Sequence, residues 1–257
     1  SFGHPLIQID APPGAQNRNY RVDQFICADC QAVLAYLAEH LPDRIDSEYD
    51  RTIKRAVVQA ESSLIEQVGN YANLCQALRD ALPQDGIFVR DITVSGSTWG
   101  SRLLSFQHPN QNIHSLAGAI GLGLAQGIGA AIANPGKKIA TIVGDGGLML
   151  GIGEMATMVQ ENIDMVLIVM NDGGYGVMRG IQNSYFEGRQ YYNELHTPNY
   201  CDVGKAMAMP SWQVGSAEEF ASAIGEAMRL KGPALIEVDM VRVGPLEFSG
   251  PPQKTLY

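Results

Sequence analysis

A chain of 257 residues with 46% apolar content can bury one large α/β domain and a smaller appendage, and neither repeats nor low-complexity stretches interrupt it. Its net charge of -9 excludes the basic stripe that a nucleic-acid surface needs. No apolar run is long and uninterrupted enough to cross a membrane, since the Ala/Gly/Ile-rich stretch 116–133 is broken by glycines and Gln126; with no signal peptide legible, a cytoplasmic location is expected.

From the start of the chain, Pro5-Leu6-Ile7-Gln8-Ile9-Asp10 reads as a strand, and Asp29 is placed to cap a helix whose apolar positions are Ala32, Leu34 and Leu37. Cys27 and Cys30 have the two-residue spacing of zinc knuckles and redox pairs. No second pair or histidine stands nearby, and Cys75 and Cys201 are isolated, so the signal for metal or redox chemistry is weak. Residues 44–66 are charged and polar and read as a linker. A helix over Tyr71 to Leu82 leads through Pro83 to a strand, Gly86 to Asp91, followed by the hydroxyl- and glycine-rich loop Thr93 to Thr98. Gln111 to His114 precedes a small-residue segment, Gly118 to Gly123, and a helix to Ala133. His108 and His114 are the histidines nearest this segment; His114 is either a cavity residue or a hydrogen-bonded structural one.

The central third is the most regular. Ile139 to Val143 and Met165 to Met170 are short, apolar and rich in β-branched residues, as strands buried on both faces should be. Between them, Gly153 to Asn162 carries Met155, Met158 and Val159 at helical spacing. A right-handed crossover makes the two strands parallel, so Gly144-Asp145-Gly146-Gly147 and Asn171-Asp172-Gly173-Gly174-Tyr175-Gly176 open on one edge of the sheet, where open α/β sheets bind ligands. Two carboxylates, Asp145 and Asp172, then face one crevice, and the glycines let the backbone turn its N–H groups towards an anion. Beyond them, residues 177–200 are aromatic and polar, with Tyr185, Phe186, Tyr191 and Tyr192. Asp202 to Met209 and Ala217 to Leu230 read as helices, Ser211 to Val214 and Ala234 to Met240 as strands, and residues 244–257 as a proline-bearing extended tail.

These two strand ends resemble the cofactor motif of the thiamine-diphosphate enzymes of the acetolactate synthase, benzoylformate decarboxylase and pyruvate decarboxylase group, which begins Gly-Asp-Gly and ends about thirty residues later in a pair of asparagines. Here Gly144-Asp145-Gly146 supplies the start, and Asn171-Asp172 occupies the pair with aspartate in its second position. The resemblance implies an α/β fold, a parallel sheet with helices on both faces, and the cofactors thiamine diphosphate and Mg²⁺. It assigns the metal to Asp145, Asp172 and the carbonyl of Gly174, oxygen ligands of the kind Mg²⁺ takes. It assigns the cofactor to Ser95, Gly96, Ser97, Gly118, Ile120, Gly144, Asp145, Gly146, Gly147, Asp172, Gly174, Tyr175 and Gly176. Ile120 falls where a bulky apolar residue props the cofactor into the bent shape its chemistry requires, the role that the resemblance makes catalytic; on the residues alone it reads as core. The 93–98 loop reads equally as an ordinary polar loop, and the aromatics after Gly176 as surface residues or as a substrate-pocket wall.

The resemblance further divides the chain into the C-terminal end of a middle domain (1–43), a linker (44–66), a diphosphate- and Mg-binding domain (67–243) and a tail (244–257). It implies the C-terminal part of a longer lyase or transferase acting on a small-molecule 2-oxo acid, its site completed by a missing N-terminal domain or a second subunit in a homo-oligomer. Two other readings stand beside it: Gly118 to Gly129 followed by Asp145 imitates a nicotinamide-dinucleotide fingerprint, and a non-catalytic module could retain the fold.

Overall fold

The computed structural model describes residues 3–42 and 47–248, and the chain divides into two compact units, Ser1–Val57 and Val58–Tyr257. In the first, β1 (Ile7–Asp10) pairs in parallel with β2 (Gln24–Cys27), and α1 (Cys30–His40) follows. Asp29 caps α1 as its sequence position requires, its carboxylate accepting the Ala32 N–H at 2.9 Å. The strand β2 was not legible, because Gln24-Phe25-Ile26-Cys27 is too short to show a period. Ala15 is the one buried apolar side chain among the described residues of this unit, while Leu34, Tyr36 and Leu37 of α1 are exposed. The Cys27 and Cys30 thiols are exposed and free, donating to the Ala11 and Ile9 carbonyls at 3.3 and 3.5 Å. No group of three His, Cys, Asp or Glu side chains suited to a metal occurs among the described residues.

The expected linker is a helix instead: α2 (Ser47–Val68) runs 22 residues, and the division between units falls within it. Its sequence is polar overall, which suggested a linker, yet Ile53, Val57, Leu64, Ile65 and Val68 recur at helical spacing, and an Asp50–Lys54 pair at i,i+4 supports the first turns. Residues 43–46, at the junction of the expected middle-domain piece and linker, and 249–257, at the end of the expected tail, lie outside the described residues.

The second unit is built on six parallel strands, β3 (Ile87–Arg90), β4 (Asn112–His114), β5 (Ile139–Gly144), β6 (Met165–Asn171), β7 (Ser211–Val214) and β8 (Ala234–Asp239), in the order β4-β3-β5-β6-β8-β7. Successive residues of β5 and β6 feed opposite faces. Ala140, Ile142, Val166 and Ile168 pack with Leu74 and Leu78 of α3 (Tyr71–Ala81), and with Phe220 and Ile224 of a helix near the C-terminus. Ile139, Val143, Leu167 and Val169 pack on the other side, with Leu124, Ile128, Met155, Met158 and Tyr200. Each fully buried aliphatic side chain of these strands contributes about 1.5–3 kcal/mol, and such burial on both faces is why these strands read as unbroken apolar runs. The expected parallel sheet with helices on both faces is thus the observed architecture.

Between the strands lie the short helices α4 (Val94–Ser97) and α5 (Trp99–Arg102), then α6 (Gly123–Ala133), α7 (Asp145–Met149), α8 (Glu154–Gln160), α9 (Gly176–Tyr185), α10 (Tyr200–Ala206), α11 (Ala217–Arg229) and α12 (Met240–Val243). The 93–98 loop is therefore a helix start, with the Thr93 hydroxyl accepting the Gly96 N–H at 2.8 Å. Helices α7, α9 and α12 were also missed, the first two because they open on glycine-rich strings that read as loops.

Candidate active site

Strand order reverses at β3: the chain leaves it for β4 on one side and returns to β5 on the other. That switch point opens a crevice at the C-terminal ends of the strands, and a cavity of about 430 Å³ occupies it, within the range of small-molecule sites. Ile92, Thr93 and Val94 line it from the end of β3. Gly144, Asp145, Gly146 and Gly147 line it from the end of β5, and Asp172, Gly174, Tyr175 and Gly176 from the end of β6. Gly118 and Ile120 line it from the turn before α6, while Met170, Val177, Met178, Ile181 and Met240 add apolar walls. Helices α4, α7 and α9 all begin at this edge, which brings three helix N-termini to the cavity, the Gly96 N–H of α4 being taken by the Thr93 hydroxyl.

The cavity thus gathers every expected cofactor residue except Ser95, Gly96 and Ser97. These lie one step further along α4, and their place at the wall is taken by Ile92, Thr93 and Val94. Ser95 and Gly96 are buried, and a side chain at Gly96 would meet the Asp91 carbonyl at 2.6 Å. His108 and His114 do not line the cavity, nor do Phe186, Tyr191 and Tyr192, which are exposed. The wall that follows Gly176 is instead the apolar face of α9.

Asp145 is the most constrained group in the site. It is 1% exposed, and its Oδ2 is buried with no hydrogen-bond partner. Burial, and then the negative charge of Asp172, push its pKa up to about 7, while the Gly146 and Gly174 N–H groups pull the other way. Asp172 is raised too, by burial, with Arg179 opposing at 3.7 Å. Two buried carboxyls that face each other, one with an oxygen that meets no hydrogen-bond donor, form an arrangement that suits a shared proton or a hard divalent cation. The Tyr200 hydroxyl donates to the Asp145 carbonyl at 2.9 Å, and the Tyr175 N–H donates to the Asn193 carbonyl at 2.8 Å, which ties the turn after β6 to the segment beyond α9.

Asp91 was not singled out in the sequence, although it shapes the site. At the end of β3 and 1% exposed, it accepts the N–H groups of Ile92 at 2.7 Å, Gly121 at 2.9 Å and Gly123 at 3.2 Å. The turn that carries Ile120 is thereby tied to the strand. Gly121 sits at φ +83, where a side chain would be strained and would also meet Leu150 at 2.9 Å. An aspartate directly after an apolar strand was the available signal, but nothing local shows that its partners lie thirty residues away.

Comparison with known proteins agrees with this geometry. Residues 93–238 match the family described as thiamine pyrophosphate enzyme, C-terminal TPP binding domain. The chain belongs to that family. Thiamine diphosphate with Mg²⁺ is therefore the cofactor set of this domain, and the nicotinamide-dinucleotide reading gains no support. The domain is similar to the mitochondrial acetolactate synthase catalytic subunit of Aspergillus candidus, with 24% identity over 253 residues covering 91% of this chain and 35% of the relative. It is also similar to benzoylformate decarboxylase of Pseudomonas aeruginosa, with 28% identity over 172 residues covering 65% of this chain and 31% of that enzyme. The chain thus spans about a third of the length of these relatives. The thiamine diphosphate-dependent 4-hydroxybenzoylformate decarboxylase of Rhodococcus jostii RHA1 shares the fold, with a TM-score of 0.73 and 22% identity over 92% of this chain and 44% of that one.

Proposed function

We propose that this domain is the diphosphate- and metal-holding half of a 2-oxo acid decarboxylase or carboligase, with Asp145, Asp172 and the Gly174 carbonyl as Mg²⁺ ligands. The observation that carries the proposal is the buried, unpartnered Oδ2 of Asp145 beside Asp172 at the switch-point cavity. When bound, thiamine diphosphate supplies the electron sink that lets a 2-oxo acid lose carbon dioxide. The chain's own part is positional. The N–H groups at the starts of α7 and α9 would hold the diphosphate, Gly118 and the glycines after β5 would leave room for it, and Thr93 and Val94 close the wall. Ile120, held by the Asp91 turn, supports the organic part, and the Met170, Met178, Ile181 and Met240 walls exclude water.

A small-molecule 2-oxo acid as substrate, and a pyrimidine-binding domain in a second subunit of a homo-oligomer as the part that completes the site, belong to the same proposal; the names of the relatives and the third of their length that this chain spans support it. Residues 1–43 fit the end of a larger middle domain, since the described part of their unit buries one apolar side chain and leaves the α1 apolar positions uncovered. The cytoplasmic location expected from the sequence draws no support from the relatives, whose names include mitochondrial and chloroplastic enzymes. Among the described residues, no helix is long and apolar enough to cross a membrane.

Calorimetric titration with thiamine diphosphate, with and without Mg²⁺, tests the proposal. Saturable heat that requires Mg²⁺ is expected; binding of NAD⁺ in its place would overturn it. If a pyrimidine-binding domain outside these 257 residues completes the site, as proposed, the chain alone should show no decarboxylation.

A further inference from the structure

Glu237 belongs to none of the motifs that meet at the site, and it is a carboxylate 2% exposed on β8, between β6 and the edge strand β7. It lies on β8, opposite Val169 of β6 and two residues before the Asn171–Asp239 pair, so it shares a face with the end of the strand that carries Asp172. Each of its oxygens has one donor. Oε1 accepts Asn171 Nδ2 at 2.8 Å, and Oε2 accepts the Cys201 N–H at 3.0 Å.

Both bonds lead to a metal-facing turn. Because its amide N is spent on Glu237, Asn171 must present its oxygen to the following turn, and that Oδ1 accepts the Gly173 N–H at 3.2 Å. Gly173 stands at φ +73 between Asp172 and Gly174, so this bond pins the bend that sets the direction of the Asp172 side chain and the Gly174 carbonyl. On the other branch, Cys201 sits in the first turn of α10 beside Tyr200, whose hydroxyl donates to the Asp145 carbonyl at 2.9 Å.

From these two branches we infer that Glu237 is a positioning residue for the metal site: by fixing the polarity of the Asn171 amide and the seat of α10, it orients Asp172, Gly174 and Asp145 together. The inference rests on the metal reading proposed above, and it makes a claim about polarity that general stabilisation does not make. A glutamine at 237 offers one acceptor oxygen to two N–H donors. Whichever way it turns, an NH₂ group faces a donor, unless Asn171 flips and aims its own NH₂ at Gly173. Asn171→Asp alone sets two carboxylates against each other. With Glu237→Gln and Asn171→Asp combined, the new amide donates to the new carboxylate and still accepts from Cys201, while the new carboxylate accepts from Gly173. Every bond then has a donor and an acceptor again.

The test compares the parent chain, Glu237→Gln, Asn171→Asp and the double variant by two readouts. The first, hydrogen exchange at the Gly173 amide without metal or cofactor, reports the relay itself: faster exchange in Glu237→Gln and recovery in the double variant are expected. The second is Mg²⁺-dependent thiamine diphosphate affinity by calorimetry, where outer-sphere partners of metal ligands typically matter by about 10- to 100-fold. Both single variants should lose on that scale, and the double variant should regain most of it. Unchanged Gly173 exchange in Glu237→Gln, or a double variant as weak as the single ones, overturns the inference. A parent chain that binds no thiamine diphosphate overturns the metal reading instead, and the exchange readout still decides the relay. Should Glu237→Gln fail to fold, Asn171→Ala, at a half-buried position, replaces it and should accelerate Gly173 exchange and weaken binding; if it does neither, the inference fails.

Discussion

Replacing Asp145 with asparagine should stabilise the metal-free chain while destroying its capacity to hold the metal. The side chain is 1% exposed with one oxygen unpartnered, and its pKa is pushed up from 3.8 to about 7 by burial and by Asp172. At about 1.4 kcal/mol per pH unit, holding this group ionised costs up to about 4 kcal/mol. The folded chain binds the proton more tightly than the unfolded one, so this contribution lowers stability as pH rises from about 4 to about 7 and is complete above 7. Asparagine has nearly the same shape and carries no charge. Allowing for relaxation around the charged form, the variant should gain about 2 kcal/mol at pH 8, or roughly 4–8 °C in melting temperature, and almost nothing at pH 4. Urea unfolding of both chains across pH 4–8 in chelator measures the difference. With Mg²⁺ and thiamine diphosphate the order should reverse, since only the parent gains from ligand binding. A variant that is less stable at pH 8 without metal, or a difference that does not change with pH, would refute the claim that Asp145 is strained without its cation.

The other predictions concern the residues around it. Asp172→Asn should keep Mg²⁺-dependent cofactor binding, because it restores the family's ligand. It should also lower the pH at which Asp145 ionises, since a like charge is removed; the 3.7 Å contact with partly exposed Arg179 costs less than about 1 kcal/mol to lose. A variant unable to bind would show that the carboxylate at 172 has a role of its own. Asp91→Ala leaves the Gly121 and Gly123 N–H groups without an acceptor and should cost about 3 kcal/mol in urea unfolding; a loss below about 1 kcal/mol would mean the Ile120 turn is held by something else. Turnover of a 2-oxo acid by the 257-residue chain alone would disprove the composite site.

Legibility in the sequence followed how local each cause is. Strands β5 and β6 were plain because burial on both faces leaves an unbroken apolar run, and Ser211–Val214 was found at its observed bounds. The two acidic strand ends could be placed in one crevice because parallel strands share an edge. Helix α2 was missed because a polar, almost wholly exposed helix differs from a linker only in the spacing of Ile53, Val57 and Val68. Helices α7 and α9 were missed because Gly-Asp-Gly-Gly and Asp-Gly-Gly-Tyr-Gly favour turns locally, and only tertiary packing extends them into helices. Within the site, the residues bearing the motif were legible. Asp91 and Glu237 were not, because each acts through partners 30 or more residues away in sequence.

The central claim is that the ends of β5 and β6 hold one cation, and a crystal of this chain grown with Mn²⁺ and pyrophosphate tests it most directly. The account predicts one anomalous peak bound at once by Asp145, Asp172 and the Gly174 carbonyl, at distances close to the roughly 2.0–2.1 Å of Mg²⁺–oxygen bonds, with pyrophosphate at the starts of α7 and α9. A peak elsewhere, or one that touches neither aspartate, would contradict it.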